Sequence, residues 1–207
     1  MPPKFIYFDL GNVLLNFSHP RMCQQIAELF QVEADAVWKL LFEGDQLQHA
    51  VETGTLSADA YYQTLCEQFG SQPPRNDFER AASDIVEPNH PMVPVVTQLV
   101  VARQRIGLLS NINQGHWDWI CQRYCGLYPE MFEQLILSYE VGAMKPDPKI
   151  FQAAIAKAGV RPAEIFYTDD IAGHVAGARA AGIDAVLFTS CEQLVGDLLE
   201  RGVEFNY

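Results

Sequence analysis

The sequence lacks both a long apolar run and an excess of positive charge, and each absence excludes a class of protein. No apolar stretch approaches the roughly 20 residues that a helix needs to cross a bilayer. Lys and Arg number 14 against 26 Asp and Glu, which gives a formal net charge of -12. Because this charge would repel a nucleic-acid backbone or an anionic membrane, we expect neither as a partner. Any anionic ligand should be small and held locally.

Export signals and cysteine pairs are also missing. The first residues, MPPKFIYF, lack the n-region and the cleavage site of a signal peptide, so we expect a cytoplasmic protein. The five cysteines include no CxxC pair. Cys121 and Cys125 have a helical spacing that could hold a metal, but we expect reduced, buried thiols. The 207 residues, 49% of them apolar, suffice for one large domain or a domain with a smaller insertion. We expect a monomer or a weak homodimer.

Short apolar runs recur along the chain where parallel strands would lie. They are residues 4–8 and the runs that end at Ser110, Ser138, Thr168 and Phe188. Most are separated by helical patterns such as DPKIFQAAIAKAGV and AGHVAGARAAGI, in which Gly159 and Gly182 are placed as C-terminal caps. This alternation predicts an α/β fold with a Rossmann-like parallel sheet flanked by helices and joined by right-handed crossovers.

The first strand is followed by a different pattern. Between Asn16 and about Pro91 we find no convincing strand, but several amphipathic helical stretches, among them RMCQQIAELF, ADAVWKLLFEGDQL and SADAYYQTLCEQF. Ser57 is a candidate N-cap, and EPNHPMVP reads as the return into the core. We therefore expect an α/β catalytic core of residues 1–15 and 91–207 and a helical, four-helix-bundle-like cap of residues 16–90.

Four polar features follow the predicted strands at the end where parallel sheets bind ligands. They are Asp9, Ser110 with Asn111, Lys145, and the pair Asp169 and Asp170. Each feature alone has an ordinary alternative, since a lone Asp or an SN pair is common in turns and an acidic pair is commonly a solvated surface. Together with an insertion directly after the first strand, they indicate one shared site.

These residues carry a resemblance to a known family. FDLGNVLL, GLLSN, GAMKPDPKIF and FYTDDIAGHVAGARAAGI resemble the four ordered motifs of the haloacid dehalogenase-like hydrolases, and the helical insertion is similar to their cap domain. DLGNV, LSN and YPEMFEQLILSYEVGAMKPDPKIF resemble the branch that contains bacterial α-glucose-1-phosphate phosphatase and the N-terminal phosphatase domain of soluble epoxide hydrolase. The resemblance covers essentially the whole chain.

The resemblance implies a Mg²⁺-dependent phosphatase that hydrolyses a small phosphorylated metabolite, such as a sugar phosphate. Asp9 would be the nucleophile and would form an aspartyl-phosphate. The metal ligands that the resemblance implies are the Asp9 carboxylate, the Gly11 carbonyl and the Asp170 carboxylate, with Asp169 at the metal or just behind it.

The resemblance also implies which groups hold the phosphate. Lys145 would neutralise both the phosphate and the nucleophile from the side away from the metal. The Ser110 hydroxyl and the backbone amides near Gly11, Asn12 and Asn111 would donate hydrogen bonds to the phosphoryl oxygens.

Position 11 departs from the family pattern. Most phosphatases of the family carry a second Asp two residues after the nucleophile, as general acid and base, whereas this chain has Gly11. One alternative is therefore a non-catalytic relative that keeps the fold and the metal site. A metal-independent 2-haloacid dehalogenase is another, and it is disfavoured because that subgroup lacks the paired acids Asp169 and Asp170.

The cap offers side chains that could replace the missing acid or contact the substrate. These are His19, Arg21, Glu43, Asp45, His49 and Glu52, and for each the alternative is a solvated helix face. His174 is a candidate hydrogen-bond partner of the acidic pair rather than a metal ligand. Trp117 and Trp119 are expected to pack the helix after Ser110.

Overall fold

The computed structural model of the chain describes residues 2–43, 47–127 and 129–206. Its strands are β1 (Phe5–Phe8), β2 (Leu15–Phe17), β3 (Val86–Pro88), β4 (Ile106–Ser110), β5 (Gln134–Leu137), β6 (Ile165–Asp169) and β7 (Asp184–Leu187). Within this part of the chain, five strands form a parallel sheet in the order β5-β4-β1-β6-β7. The predicted α/β class with a parallel, Rossmann-like sheet is confirmed.

The central strand β1 is buried along its whole length, which explains its run of apolar and aromatic residues. In the register of the sheet, Tyr7 lies between Gly107 on β4 and Tyr167 on β6. A Cβ atom at position 107 would lie 2.6 Å from the Tyr7 ring and 2.8 Å from the Gln134 carbonyl oxygen. Glycine at this position therefore leaves room for the rings of Tyr7 and Phe5, whose centroids lie 4.6 Å apart.

Helices lie between these strands and after the last of them. They are α1 (His19–Phe30), α2 (Ala34–Phe42), α3 (Leu47–Glu52), α4 (Ala58–Phe69), α5 (Arg75–Ser83), α6 (Met92–Val101), α7 (Gln114–Arg123), α8 (Ser138–Val141), α9 (Pro148–Ala158), α10 (Ala172–Ala180) and α11 (Cys191–Glu200). The predicted caps are present, since Ser57 accepts a hydrogen bond from the Ala60 amide and Gly159 adopts a φ of 67° after α9. Gly182 adopts a φ of 86° just after the end of α10.

The expectation of no strand between Asn16 and Pro91 is wrong. β2 and β3 pair antiparallel, with Leu15 opposite Pro88 and Phe17 opposite Val86. Each strand has three residues, LNF and VEP, too few to show an alternating pattern in the sequence. Helices α1 to α5 lie between the two strands, so the ends of the proposed cap meet at this ribbon. A four-helix-bundle-like cap was expected, and the described residues of the insertion contain five helices, of which α3 has only six residues.

The cysteines and tryptophans divide between core and surface. Cys23, Cys66 and Cys191 are buried, but Cys121 is half-buried and Cys125 is exposed, so the expectation of buried thiols is wrong for Cys125, which lies beyond the end of α7. Trp117 is buried in the core and Trp119 packs against it, as predicted.

Among the described residues, no helix combines the length and the apolar character that crossing a membrane requires.

Candidate active site

The predicted site residues meet at the carboxyl end of the sheet because β1 lies between β4 and β6. Asp9 directly follows β1, Ser110 ends β4 and Asp169 ends β6, while Lys145 enters from the loop between α8 and α9. A cavity of about 350 Å³ opens above them. The predicted residues that line it are Asp9, Gly11, Asn12, Ser110, Asn111, Lys145 and Asp170. Asp169 is fully buried and lies beneath this lining.

The Lys145 ammonium lies between two buried carboxylates. Its Nζ atom is 2.8 Å from Asp9 Oδ1 and 2.7 Å from Asp169 Oδ2, and it also donates to the Leu109 carbonyl at 2.9 Å. Burial alone would lower the pKa of Lys145, but the two carboxylates outweigh it and raise this pKa above its ordinary value. Lys145 is therefore charged in the folded protein and offsets the charge of both acids.

The side chain of Asn111 fixes the backbone of Lys145. Its Oδ1 atom accepts a hydrogen bond from the Lys145 amide at 2.7 Å, and its Nδ2 atom donates to the Lys145 carbonyl at 3.0 Å. This double contact joins the loop after β4 to the loop that carries the lysine. The sequence prediction concerned only the backbone amide near Asn111 and missed this positioning role of the side chain.

Asp9 is buried, with one carboxylate oxygen engaged and one available. Its Oδ1 atom contacts Lys145 Nζ and accepts a hydrogen bond from the Leu10 amide at 2.6 Å. In the part of the chain that the structure describes, Oδ2 takes part in no hydrogen bond or ion pair. Burial raises the pKa of Asp9 to about 6, although Lys145 opposes this rise. Oδ2 is thus the oxygen that can approach a ligand.

Asp169 is a buried anion with several donors around it. It accepts hydrogen bonds from Lys145, from the Tyr167 hydroxyl, from the Ile171 amide at 2.8 Å and from His174 Nδ1 at 3.1 Å. Burial raises its pKa, but the His174 and Lys145 contacts outweigh burial and hold this pKa well below its usual range. The prediction that His174 is a hydrogen-bond partner of the acidic pair is confirmed.

Oxygen atoms at the site fit a hard divalent cation such as Mg²⁺. Ligand atoms of Asp9, Asp169 and His174 lie within 4.8 Å of one another, but Asp169 and His174 already bind each other. Of the metal ligands that the resemblance implies, the Gly11 carbonyl and Asp170 Oδ1 take part in no hydrogen bond or ion pair of the described residues. Two carboxylates and a carbonyl are the ligands that Mg²⁺ takes, together with water and substrate oxygens. The residues present therefore fit the metal that the resemblance implies.

A phenylalanine ring fills the space beside Gly11. A Cβ atom on Gly11 would lie 2.7 Å from Cε1 of Phe17, so the ring stands where an acid at position 11 would begin. The neighbouring backbone is also engaged, because the Asn12 amide donates to the Leu15 carbonyl at 2.6 Å. That amide is not free to bind a phosphoryl oxygen while this bond lasts. The Asn12 side chain instead donates to Asp170 Oδ2 at 3.0 Å.

Three further ionisable side chains, His19, Glu52 and His116, line the cavity. His19 lies between the rings of Phe17 and Phe42, with centroids 4.9 and 4.8 Å away. Glu52 comes from the end of α3. His116 on α7 contacts the Ala82 carbonyl through Nε2 at 3.1 Å, and burial lowers its pKa to about 4. The sequence prediction missed His116, since only the tryptophans of HWDW were considered there.

Three other cap candidates do not line the cavity. Glu43 and His49 are exposed, as the alternative of a solvated helix face predicts. Arg21 is also exposed and forms ion pairs with Asp84 at 3.8 Å and Glu87 at 3.5 Å. The remaining candidate, Asp45, lies outside the described residues.

The profile of the haloacid dehalogenase-like hydrolases matches residues 3–182. The chain belongs to this family. D-ribitol-5-phosphate phosphatase from Bacteroides thetaiotaomicron is similar to it, with 25% identity over 194 residues, which cover 87% of this chain and 89% of that protein. Bifunctional epoxide hydrolase 2 from Sus scrofa is 28% identical over 128 residues, which cover 58% of this chain and 22% of the hydrolase.

A solved structure of a haloacid dehalogenase family enzyme resembles most of the chain. It comes from Bacteroides thetaiotaomicron and holds magnesium and inorganic phosphate. The TM-score is 0.79 at 26% identity, and the match covers 90% of this chain and 94% of that one. The resemblance that the four sequence motifs indicate is thereby confirmed at the level of the family.

Proposed function

We propose that this chain is a Mg²⁺-dependent phosphatase that hydrolyses a small phosphorylated metabolite, such as a sugar phosphate, through an aspartyl-phosphate intermediate on Asp9. The observation that carries the proposal is the Lys145 ammonium between Asp9 and Asp169, 2.8 and 2.7 Å from their carboxylate oxygens. A carboxylate can approach a phosphate dianion only where nearby positive charge offsets their repulsion. The relative that is named a D-ribitol-5-phosphate phosphatase, and the similar structure with magnesium and phosphate, support the same assignment.

In the proposed reaction Asp9 Oδ2 attacks phosphorus. A bond forms between this oxygen and phosphorus, the bond to the alkoxide of the substrate breaks, and water then hydrolyses the aspartyl-phosphate to release phosphate. Lys145 stays bound to Asp9 Oδ1 and offsets the negative charge as the nucleophile approaches. Mg²⁺ held by Asp9, the Gly11 carbonyl and Asp170 would supply further positive charge and orient the phosphate.

The phosphoryl oxygens need hydrogen-bond donors. Ser110 is buried and lines the cavity, and among the described residues its hydroxyl makes only a long contact of 3.4 Å with the Asn111 carbonyl, so it can turn to a ligand. The backbone amides of Gly11 and Asn111 take part in no hydrogen bond of the described residues. We assign these three donors to the phosphoryl oxygens, because fixed donors stabilise the charge of a phosphoryl-transfer transition state.

Position 11 favours a second candidate function. A relative that keeps the fold and the metal site without turnover would not need an acid there, and Phe17 already occupies that space. A weak phosphatase that relies on water or on a cap residue for proton transfer would share these features. Turnover separates the two candidates.

The test is hydrolysis of p-nitrophenyl phosphate with Mg²⁺, with EDTA, and with the variant Asp9→Asn as control. Hydrolysis that EDTA and Asp9→Asn both abolish supports the proposal. Absence of hydrolysis by folded protein with Mg²⁺ bound favours the non-catalytic relative. Chloride release from a 2-haloacid in the presence of EDTA would instead indicate a dehalogenase. If the protein is active, a screen of phosphorylated sugars and polyols identifies the substrate class.

A further inference from the structure

Glu52 is the one acidic side chain of α1 to α5 that faces the cavity, among the residues that the structure describes. It ends α3, and its side chain lines the cavity that also contains Asp9 and Lys145. A substrate whose phosphate contacts Lys145 would therefore direct its organic part into the space that Glu52 helps to enclose.

The backbone at Glu52 is fixed to the core by a single buried hydroxyl. Ser138, which is fully buried, donates from Oγ to the Glu52 carbonyl at 2.6 Å and accepts from the Ile112 amide at 2.9 Å. Ile112 lies two residues after Ser110, so the same hydroxyl joins Glu52 to the loop that carries the predicted phosphate donors. The position of Glu52 relative to the phosphate site is thus defined by hydrogen bonds.

A second contact holds the same turn against the core. A Cβ atom on Gly54 would lie 2.3 Å from the Tyr139 carbonyl oxygen, so only glycine allows this approach. Gly54 also has a φ of 69°, which favours glycine. With the Ser138 contact, residues 52–54 rest on the start of α8 at two points.

The Glu52 carboxylate has an unused acceptor. Gln48, which is 4% exposed, donates from Nε2 to Glu52 Oε1 at 2.7 Å. Among the described residues no cation pairs with Glu52 and no donor contacts Oε2. Partial burial raises the pKa of Glu52, which reflects the cost of enclosing a carboxylate with one neutral partner. A donor on a ligand would reduce this cost.

Apolar side chains form part of the wall of the cavity that Glu52 lines. Ile85, Ile112 and Ile120 are all buried and line it. In an apolar pocket a few polar groups determine the orientation of the ligand. A ligand without the matching group leaves such a polar group unpaired, so the pocket binds it less well.

We propose that Glu52 is the specificity-determining residue of this cavity, and that it accepts a hydrogen bond from a hydroxyl group on the organic part of the substrate. The inference rests on the proposed phosphatase function and narrows it to hydroxyalkyl monophosphates over alkyl monophosphates of the same length. The carboxylate acts on binding and orientation, whereas the phosphoryl transfer takes place at Asp9.

The test compares kcat/KM for pairs of alkyl and hydroxyalkyl monophosphates of equal length, with the hydroxyl at successive carbons, and for p-nitrophenyl phosphate. We expect the wild type to prefer at least one hydroxyalkyl phosphate by about 10- to 100-fold, the range for a hydrogen bond to a charged group. Glu52→Ala should remove this preference, and Glu52→Gln should reduce it. Hydrolysis of p-nitrophenyl phosphate, which has no hydroxyl, should change little.

Glu43→Gln and Glu43→Ala are the matched controls, since Glu43 is exposed and lies outside the cavity lining. They should leave the preference unchanged. The inference is overturned if the wild type shows no preference for any hydroxyalkyl phosphate, if Glu52→Ala keeps the preference, or if Glu52→Ala lowers all substrates equally. Failure of the wild type to hydrolyse any monophosphate, including p-nitrophenyl phosphate, would instead reject the proposed function and this inference with it.

Discussion

Replacing Gly11 by Asp restores the acid that most phosphatases of the family carry. The structure shows which neighbouring side chain would overlap the new aspartate. Gly11 is not among the residues with positive φ, so its backbone accepts a side chain without strain. The obstacle is the ring of Phe17, 2.7 Å from the position of the new Cβ atom. Phe17 is 37% exposed, so its ring can turn towards solvent, although it then leaves the ring of His19.

The expected cost follows from this overlap. Forcing an additional group into a packed site typically costs about 1 to 3 kcal/mol, and the exposure of Phe17 favours the lower end. For a chain of this size the corresponding fall in Tm is about 2 to 12 °C. The double variant Gly11→Asp with Phe17→Ala removes the overlap and should unfold close to the Tm of Phe17→Ala alone.

The expected gain depends on the leaving group. General acid assistance is worth about 10² to 10⁴-fold, and it matters most for basic leaving groups. If leaving-group protonation limits the wild type, the double variant should raise kcat for sugar and hydroxyalkyl phosphates and have little effect on p-nitrophenyl phosphate, whose leaving group departs without a proton.

The assay measures kcat for both substrate classes in the wild type, in Phe17→Ala and in the double variant, with Tm and Mg²⁺ binding measured on the same samples. The reasoning fails if the double variant folds, binds Mg²⁺ and shows no gain that depends on the leaving group. In that case another group already supplies the proton, and His19 and His116 on the cavity wall are the residues to replace next.

Two further predictions concern buried charge. Lys145→Met should lower stability by about 3 to 5 kcal/mol, because it leaves Asp9 and Asp169 buried without their cation, and kcat/KM should fall with it. The exposed Lys149→Met is the control, and unchanged kinetics beside lower stability would make Lys145 purely structural. His116, with a folded pKa of about 4 against an ordinary value of 6.5, stabilises the fold above pH 6.5, and this contribution is lost as pH falls towards 4. Urea unfolding should therefore show that the free energy of unfolding of the wild type falls relative to that of His116→Gln as pH decreases from 6.5 to 4. A difference between the two proteins that stays constant over this range would contradict the assigned pKa.

The parts of the site that the sequence predicts are those that a parallel sheet brings together. Asp9, Ser110 and Asp169 follow or end buried strands, and parallel strands place such residues at one edge. The sequence also places Lys145 at this edge, since it follows the run that ends at Ser138, but α8 lies between β5 and this lysine, so the strand alone does not define where its side chain lies. The contacts of Lys145 with both acids then follow from the hydrogen bonds of Asn111 to its backbone.

The parts that sequence reasoning missed depend on contacts between distant segments. The ring of Phe17 lies beside Gly11, and its strand β2 pairs with β3, about 70 residues later; strands of three residues leave no periodic signal. His116 and Glu52 face the cavity because of how α7 and the end of α3 pack, which a helical pattern alone does not reveal. The link through Ser138 is invisible in the sequence for the same reason, since it joins residues 86 positions apart.

The most direct test of the central proposal is to trap the phosphoryl group on the protein. The enzyme is mixed with substrate and Mg²⁺, quenched in acid during turnover and digested, and the peptide that contains Asp9 is analysed by mass spectrometry. We predict a phosphoryl adduct on Asp9 in the wild type, and neither adduct nor turnover in folded Asp9→Asn. Turnover by Asp9→Asn at more than a few per cent of the wild-type rate would contradict the nucleophilic role of Asp9, as would an adduct on a different residue.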